Sequence, residues 1–152
     1  MSSNPRPASS QRTDQGFALL PWMPTILVAE DSADAREMMQ VLLKMKGYKV
    51  VAADNGIRAL EVAVKTKPDA VLLDLQLPIM DGLDVTRNLR LHPTLNRVPI
   101  IMLSGHDPKR YRQQAIDAGC DEYLVKPINF DSLQTLLDRL VPRQRRARAK
   151  CA

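Results

Sequence analysis

The sequence predicts an α/β fold: a five-stranded parallel sheet in one domain, with helices on both faces. Two observations carry this expectation. Short apolar runs of strand length alternate five times with segments of helical period. Three of those runs, 26–29, 70–73 and 100–103, are almost wholly apolar, as strands buried on both faces must be. A length of 152 residues suits one domain with a sizeable core and leaves no room for a second catalytic domain.

The elements follow in order. Ile26-Leu27-Val28-Ala29 reads as the first strand. A helix over 34–46 is expected next, with Asp34 and Glu37 as a capping box, Ala35, Met38, Leu42 and Met45 on one face, and Gly47 as the stop. Residues 49–53 form the second strand. Ile57, Leu60 and Val64 mark a second helix, stopped by Pro68. The third strand spans 70–73, and a third helix runs over 82–91, before Pro93. After the fourth strand at 100–103, Asp107-Pro108 is a helix entry, a capping residue followed by proline at the first helical position; Gly119 ends that helix. Residues 123–125 are the fifth strand, and Leu133, Leu136, Leu137 and Leu140 stripe the last helix. Lys49, Glu122 and Lys126 put strands two and five at the sheet edges. Right-handed crossovers then favour the order 2-1-3-4-5, the flavodoxin-like doubly wound sheet.

The net charge of +5 divides unevenly. Arg6, Arg12 and Asp14 leave residues 1–24 at +1, residues 25–138 sum to −2, and six cations with no acid put residues 139–152 at +6. The folded body is slightly acidic, and the basic balance belongs to a tail. We expect a mobile leader over 1–24 with Trp22 resting on the body, a domain over 25–140, and a basic tail over 141–152. No apolar run is long enough to span a membrane, no secretory signal is visible, and Cys120 and Cys151 cannot build a disulfide framework. A reducing, cytoplasmic setting is expected.

In such a sheet, function gathers beyond the carboxyl ends of the strands. Strand one ends in Glu30-Asp31, strand three in Asp74, strand four in Ser104 and strand five in Lys126-Pro127. Three carboxylates, a hydroxyl and an ammonium thus reach one rim. Carboxylates packed together repel and persist only when a cation offsets them. Mg2+ suits them, because it works with one or two carboxylates plus phosphate oxygens. Three carboxylates, one divalent cation and one ammonium sum to zero charge. One carboxylate could then attack a phosphoryl group, with Lys126 and Ser104 bonding the transferring oxygens.

With Pro78-Ile79-Met80-Asp81-Gly82 and Ser104-Gly105, the ordered set resembles the receiver domain of bacterial two-component response regulators, over roughly residues 25–140. The resemblance implies that Asp74 accepts a phosphoryl group from a phosphohistidine donor, on a sensor histidine kinase or a histidine phosphotransfer protein. It implies that Glu30, Asp31 and Asp74 hold Mg2+ with the backbone carbonyl of Gln76, and that Lys126 bonds the phosphoryl group. Ser104 is then expected to move toward the phosphate and Tyr123 to rotate inward. The surface of helix four, strand five and helix five would thereby change its affinity for a downstream partner or a second copy of the chain. Ser104 stands where threonine is frequent in the family, and keeps the hydroxyl. Gln76 and His106 stand where the family varies, at positions that the resemblance implies influence how fast water removes the phosphoryl group.

Only about a dozen residues follow the domain. The expectation is therefore a stand-alone phospho-acceptor switch or phosphorelay intermediate, not an enzyme that turns over a substrate. A haloacid-dehalogenase-like phosphatase would need a second Asp where Gln76 stands. A third alternative is a module that binds nucleic acid or an acidic protein through the Arg-rich tail. The tail lacks interleaved aromatics and a recognition fold, which argues against nucleic acid. Asp54 reads as a turn residue, His92 and His106 as exposed loop residues, Cys120 as a small buried hydrophobe and Cys151 as an exposed tail thiol.

Overall fold

The strands form as the apolar runs dictate. In a computed structural model, which describes residues 22–141, they are β1 (Thr25–Ala29), β2 (Lys49–Ala53), β3 (Ala70–Asp74), β4 (Ile100–Ser104) and β5 (Glu122–Val125). All pairs are parallel and the order is β2-β1-β3-β4-β5, as expected. The helices are α1 (Ala33–Met45), α2 (Gly56–Thr66), α3 (Gly82–Leu91), α4 (Pro108–Ala118) and α5 (Phe130–Leu140). The leader up to residue 21, the basic tail from residue 142 and Cys151 lie outside the described residues.

Alternation along the strands divides the core in two. Leu27, Ala29, Val71, Leu73, Ile100 and Met102 face α2, α3 and α4, where Ala59, Ala63, Val85, Leu89 and Ala115 cover them. Ile26, Val28, Leu72, Ile101 and Leu103 face α1 and α5, under Met39, Leu43, Leu133 and Leu137. Trp22 packs against this second cluster, as expected.

Helix boundaries agree with the sequence more closely than helix faces do. Asp107 caps α4 with Pro108 at its first position, and Gly119 closes it at φ 117. The cap of α1, however, is Ser32 and not Asp34: the Ser32 hydroxyl accepts from the Ala35 amide at 3.3 Å. The buried face of α1 is Met39 and Leu43, while Met38 and Met45 are exposed. Six apolar residues crowd positions 38–45, so the pattern fits more than one phase. On α2 the buried face is Ala59, Val62 and Ala63, with Ile57 and Val64 exposed. Small residues lie against the sheet there, and larger ones are left outside.

Gly82 shows how closely α3 approaches the end of β3. A Cβ there would lie 2.5 Å from the Asp74 carbonyl oxygen and 3.0 Å from Met102 Sδ. The Gly82 amide also donates to the Leu75 carbonyl at 2.8 Å. Gly82→Ala should therefore push α3 away from β3 and cost about 1–3 kcal/mol, the range of overpacked cores. Urea unfolding would read this as a lower midpoint at an unchanged slope.

Candidate functional site

Four strand ends assemble the site. The Glu30 amide continues the β1–β2 pairing by donating to the Ala53 carbonyl at 3.1 Å, which fixes the residue at the sheet's rim. Glu30 and Asp74 are buried, at 7% and 6% exposure, while Asp31 is exposed. One carboxylate oxygen from each of Glu30, Asp31 and Asp74 lies within 4.8 Å of the others. The sequence-predicted acidic trio is thus brought together, with its open side at Asp31.

Lys126 enters from the end of β5. Its Nζ donates to Glu30 Oε1 at 2.8 Å and to Asp74 Oδ2 at 2.9 Å. The remaining Glu30 oxygen accepts from the Ser32 amide at 3.3 Å, and Asp74 Oδ1 accepts from the Gln76 amide at 3.1 Å. One ammonium against three carboxylates leaves a net negative cavity. Oxygen donors around an open, negative position suit a hard divalent cation such as Mg2+.

Burial opposes the charge on Lys126, yet the bonds from Glu30 and Asp74 outweigh it and hold the ammonium above its ordinary pKa of 10.5. A group whose pKa rises on folding stabilises the fold fully below its unfolded value, and loses that contribution as pH climbs through the folded value. Melting temperature should therefore fall above about pH 10.5 more steeply in the wild type than in Lys126→Met. Equal slopes in a pH series of thermal melts would contradict this.

Ser104 and Tyr123 sit to one side of the trio and meet at His106. The Ser104 side chain is fully buried, and its hydroxyl accepts from the His106 amide at 3.0 Å. The Tyr123 hydroxyl donates to the His106 carbonyl at 3.3 Å. Tyr123 is 7% exposed and belongs to the core cluster under α4. The Tyr123 ring lies inside in this structure, with its hydroxyl on the loop after β4. The His106 ring stands 5.0 Å from that of Tyr111, tying the loop after β4 to α4.

The loop after β3 is shaped as tightly. Met80 N donates back to the Pro78 carbonyl at 2.8 Å across Ile79, whose φ is 72. Asp81 caps α3 by accepting from the Asp84 amide at 2.9 Å. Gln76 itself is exposed at the rim.

The remaining expectations fare variously. Asp54 is an exposed turn residue that accepts from the Asn55 side chain at 2.8 Å. His92 and His106 are half-buried instead of exposed, and His92 serves its own loop, accepting from the Thr94 amide at 3.2 Å. Cys120 is buried, and desolvation followed by the nearby Asp121 carboxylate pushes its thiol up to about 11, so it stays protonated and inert. Arg36 is the residue near the site that sequence reasoning missed. Its Nη1 donates to the Glu30 carbonyl at 2.9 Å. A basic residue one turn into the helix after an acidic pair was the available signal.

Comparison with known proteins agrees with this geometry. A family model described as the response regulator receiver domain matches residues 26–138. Response regulator MprA of Mycobacterium sp. (strain KMS) is 40% identical over 118 residues, 78% of this chain and 50% of that protein. Its counterpart in Mycobacterium leprae is 38% identical and is covered to 51%. The chain therefore spans about half the length of the curated relatives it matches. Among solved structures, the receiver domain of sensor histidine kinase PA1611 from Pseudomonas aeruginosa PAO1 superposes with a TM-score of 0.73 at 34% identity, over 78% of this chain and 98% of that one. That structure has a magnesium ion coordinated in its active site cleft. Chemotaxis protein CheY4 of Vibrio cholerae superposes with a TM-score of 0.75 at 30% identity, over 79% of this chain and all of that one.

Proposed function

The chain belongs to the response regulator receiver domain family, and from that premise we propose that it is a phospho-acceptor switch whose acceptor is Asp74. A phosphohistidine on a sensor histidine kinase or histidine phosphotransfer protein is the donor. A carboxylate oxygen of Asp74 forms the new O–P bond as the donor's P–N bond breaks, and the imidazole leaves with that electron pair. Glu30, Asp31 and Asp74, with the backbone carbonyl of Gln76, hold Mg2+. When bound, the ion neutralises charge on the carboxylates and on the phosphoryl oxygens.

Lys126 already reaches both Glu30 and Asp74. Once Asp74 carries the phosphoryl group, Lys126 transfers its hydrogen bond to a phosphoryl oxygen, keeping a charge-assisted pair throughout. Ser104 supplies a hydroxyl to the same group. Moving that hydroxyl breaks its bond to the His106 amide, and the loop held by Tyr123 shifts with it. Swinging a two-state equilibrium from 1:99 to 99:1 needs about 5.5 kcal/mol of bias. New charge-assisted bonds from Lys126 and Ser104 are of a size to contribute much of it. The surface of α4, β5 and α5 then changes its affinity for a downstream partner or for a second copy of the chain.

We further propose that the domain spans residues 25–140, between a leader and a basic tail, and works in a cytoplasmic setting. Among the described residues no helix is long and apolar enough to cross a membrane. The observation that carries this function is the convergence of three carboxylates and one ammonium from three strand ends. Incubation with acetyl phosphate should test it. One phosphoryl group per chain should appear in Mg2+, none in EDTA, and alkali should remove it. Label that forms equally without a divalent ion would refute the function.

A further inference from the structure

Arg36 stands near the start of α1, and its guanidinium turns back over the loop that carries the acidic pair. A single nitrogen, Nη1, donates to the carbonyl oxygens of Glu30 at 2.9 Å and Asp31 at 3.4 Å. The base of the side chain is fixed as well, because the Arg36 amide donates to the Ser32 carbonyl at 2.9 Å. Ser32 is the cap of the same helix. The first turn of α1 and the end of β1 are thereby locked together through one half-buried side chain.

Two successive peptide planes are held in this way, and they set the directions in which Glu30 and Asp31 project. The Glu30 carboxylate is also gripped directly, by Lys126 on one oxygen and the Ser32 amide on the other. Asp31 is exposed, on the open side of the trio. An exposed ligand keeps its aim mainly through its own main chain, so the Arg36 clamp matters most for Asp31. A guanidinium suits this role, because it is planar and carries five donors in a fixed fork.

The geometry points to Arg36 as a positioning residue for the divalent cation, orienting Asp31 through the backbone without touching the ion. The inference rests on the metal-binding function proposed above. Groups that orient metal ligands from behind typically change affinity by about 10–100-fold when removed. An arginine acting on one exposed ligand belongs at the lower end.

The test is calorimetric titration of Mg2+ alone into the full chain. The chains compared are wild type, Arg36→Ala, Arg36→Lys, Asp31→Asn and the Asp31→Asn, Arg36→Ala double variant. Arg36→Ala should weaken Mg2+ about 10-fold, and Arg36→Lys, which keeps one donor direction, should recover part of the loss. In the Asp31→Asn background, removing Arg36 should cost little more, because the ligand it positions is gone. Thermal melts in EDTA separate stability from positioning: a purely structural arginine would lower the melting temperature and leave the Mg2+ dissociation constant unmoved. Wild-type affinity in Arg36→Ala, or losses that add in full in the double variant, would overturn the inference. Those outcomes are distinct from failure of the metal site itself, which would appear as no saturable Mg2+ binding in the wild type, or as undiminished binding in Asp31→Asn.

Discussion

An Asp74→Asn chain should gain no phosphoryl group from acetyl phosphate and Mg2+, under conditions in which the wild type should gain one per molecule. The substitution keeps shape and volume but replaces the nucleophilic carboxylate with an amide, which has no comparable oxygen to offer phosphorus. The fold should survive it. Asp74 is buried with Glu30 in a cluster where three carboxylates face a single ammonium. Removing one negative charge relieves repulsion while Lys126 keeps Glu30 as a partner. Thermal melting should thus show no loss of stability, and mass spectrometry of the intact chain should show no adduct. An Asp74→Asn chain that still takes up label at the wild-type rate would assign the acceptor elsewhere.

Lys126→Met should produce the second large effect, and it should divide between stability and chemistry. In EDTA the variant leaves Glu30 and Asp74 buried and facing each other with no cation between them. Removing one partner of a buried charge pair typically costs about 3–5 kcal/mol. The Lys126 side chain is one-third exposed, so a loss of about 2–3 kcal/mol is expected here. Saturating Mg2+ should restore part of that loss by binding the same carboxylates. Phosphorylation should remain slow even then, by about 100-fold, because a preorganised donor to the transferring oxygens is missing. Urea titrations with and without Mg2+, run beside initial rates of label uptake, measure both halves. A Lys126→Met chain with the wild-type rate would remove Lys126 from the chemistry and leave it a structural ion pair.

Much of this is legible in the amino-acid sequence alone. Strands one, three and four announce themselves because residues buried on both faces must be apolar. The polar residues that end them stand out against that background: Glu30 after Ala29, Asp74 after Leu73, Ser104 after Leu103. Chemistry and topology coincide at those positions, so the strand order alone brings the trio to one rim.

Helix faces are harder for a physical reason. On α1 apolar residues nearly encircle the lower half, and tertiary packing selects Met39 and Leu43 over Met38 and Met45. On α2 the alanines carry the contact, and size gives no hint of it. The α1 cap escapes because Ser32 and Asp34 both suit the position, and only the chain's exit from β1 decides between them.

Long-range polar anchors leave no trace in local sequence. Arg90 donates to the carbonyls of Gly119 and Val98 and to the Asp121 carboxylate, at 2.8, 2.6 and 3.0 Å, far below the site. Nothing within a window of neighbours predicts that bond set. Tyr123 is an intermediate case: its place in β5 is legible, but its burial and its bond to the His106 carbonyl depend on how the loop after β4 folds back.

Borohydride reduction of the phosphorylated chain, followed by peptide mass spectrometry, puts the whole arrangement to its most direct test. Reduction converts an acyl phosphate into a stable alcohol at the residue that carried it. The expected product is homoserine at position 74 and at no other acidic residue, formed only when Mg2+ was present during labelling. Reduction at Glu30 or Asp31, at an acid remote from the rim, or at none, would contradict the claim that these strand ends form one phospho-acceptor centre.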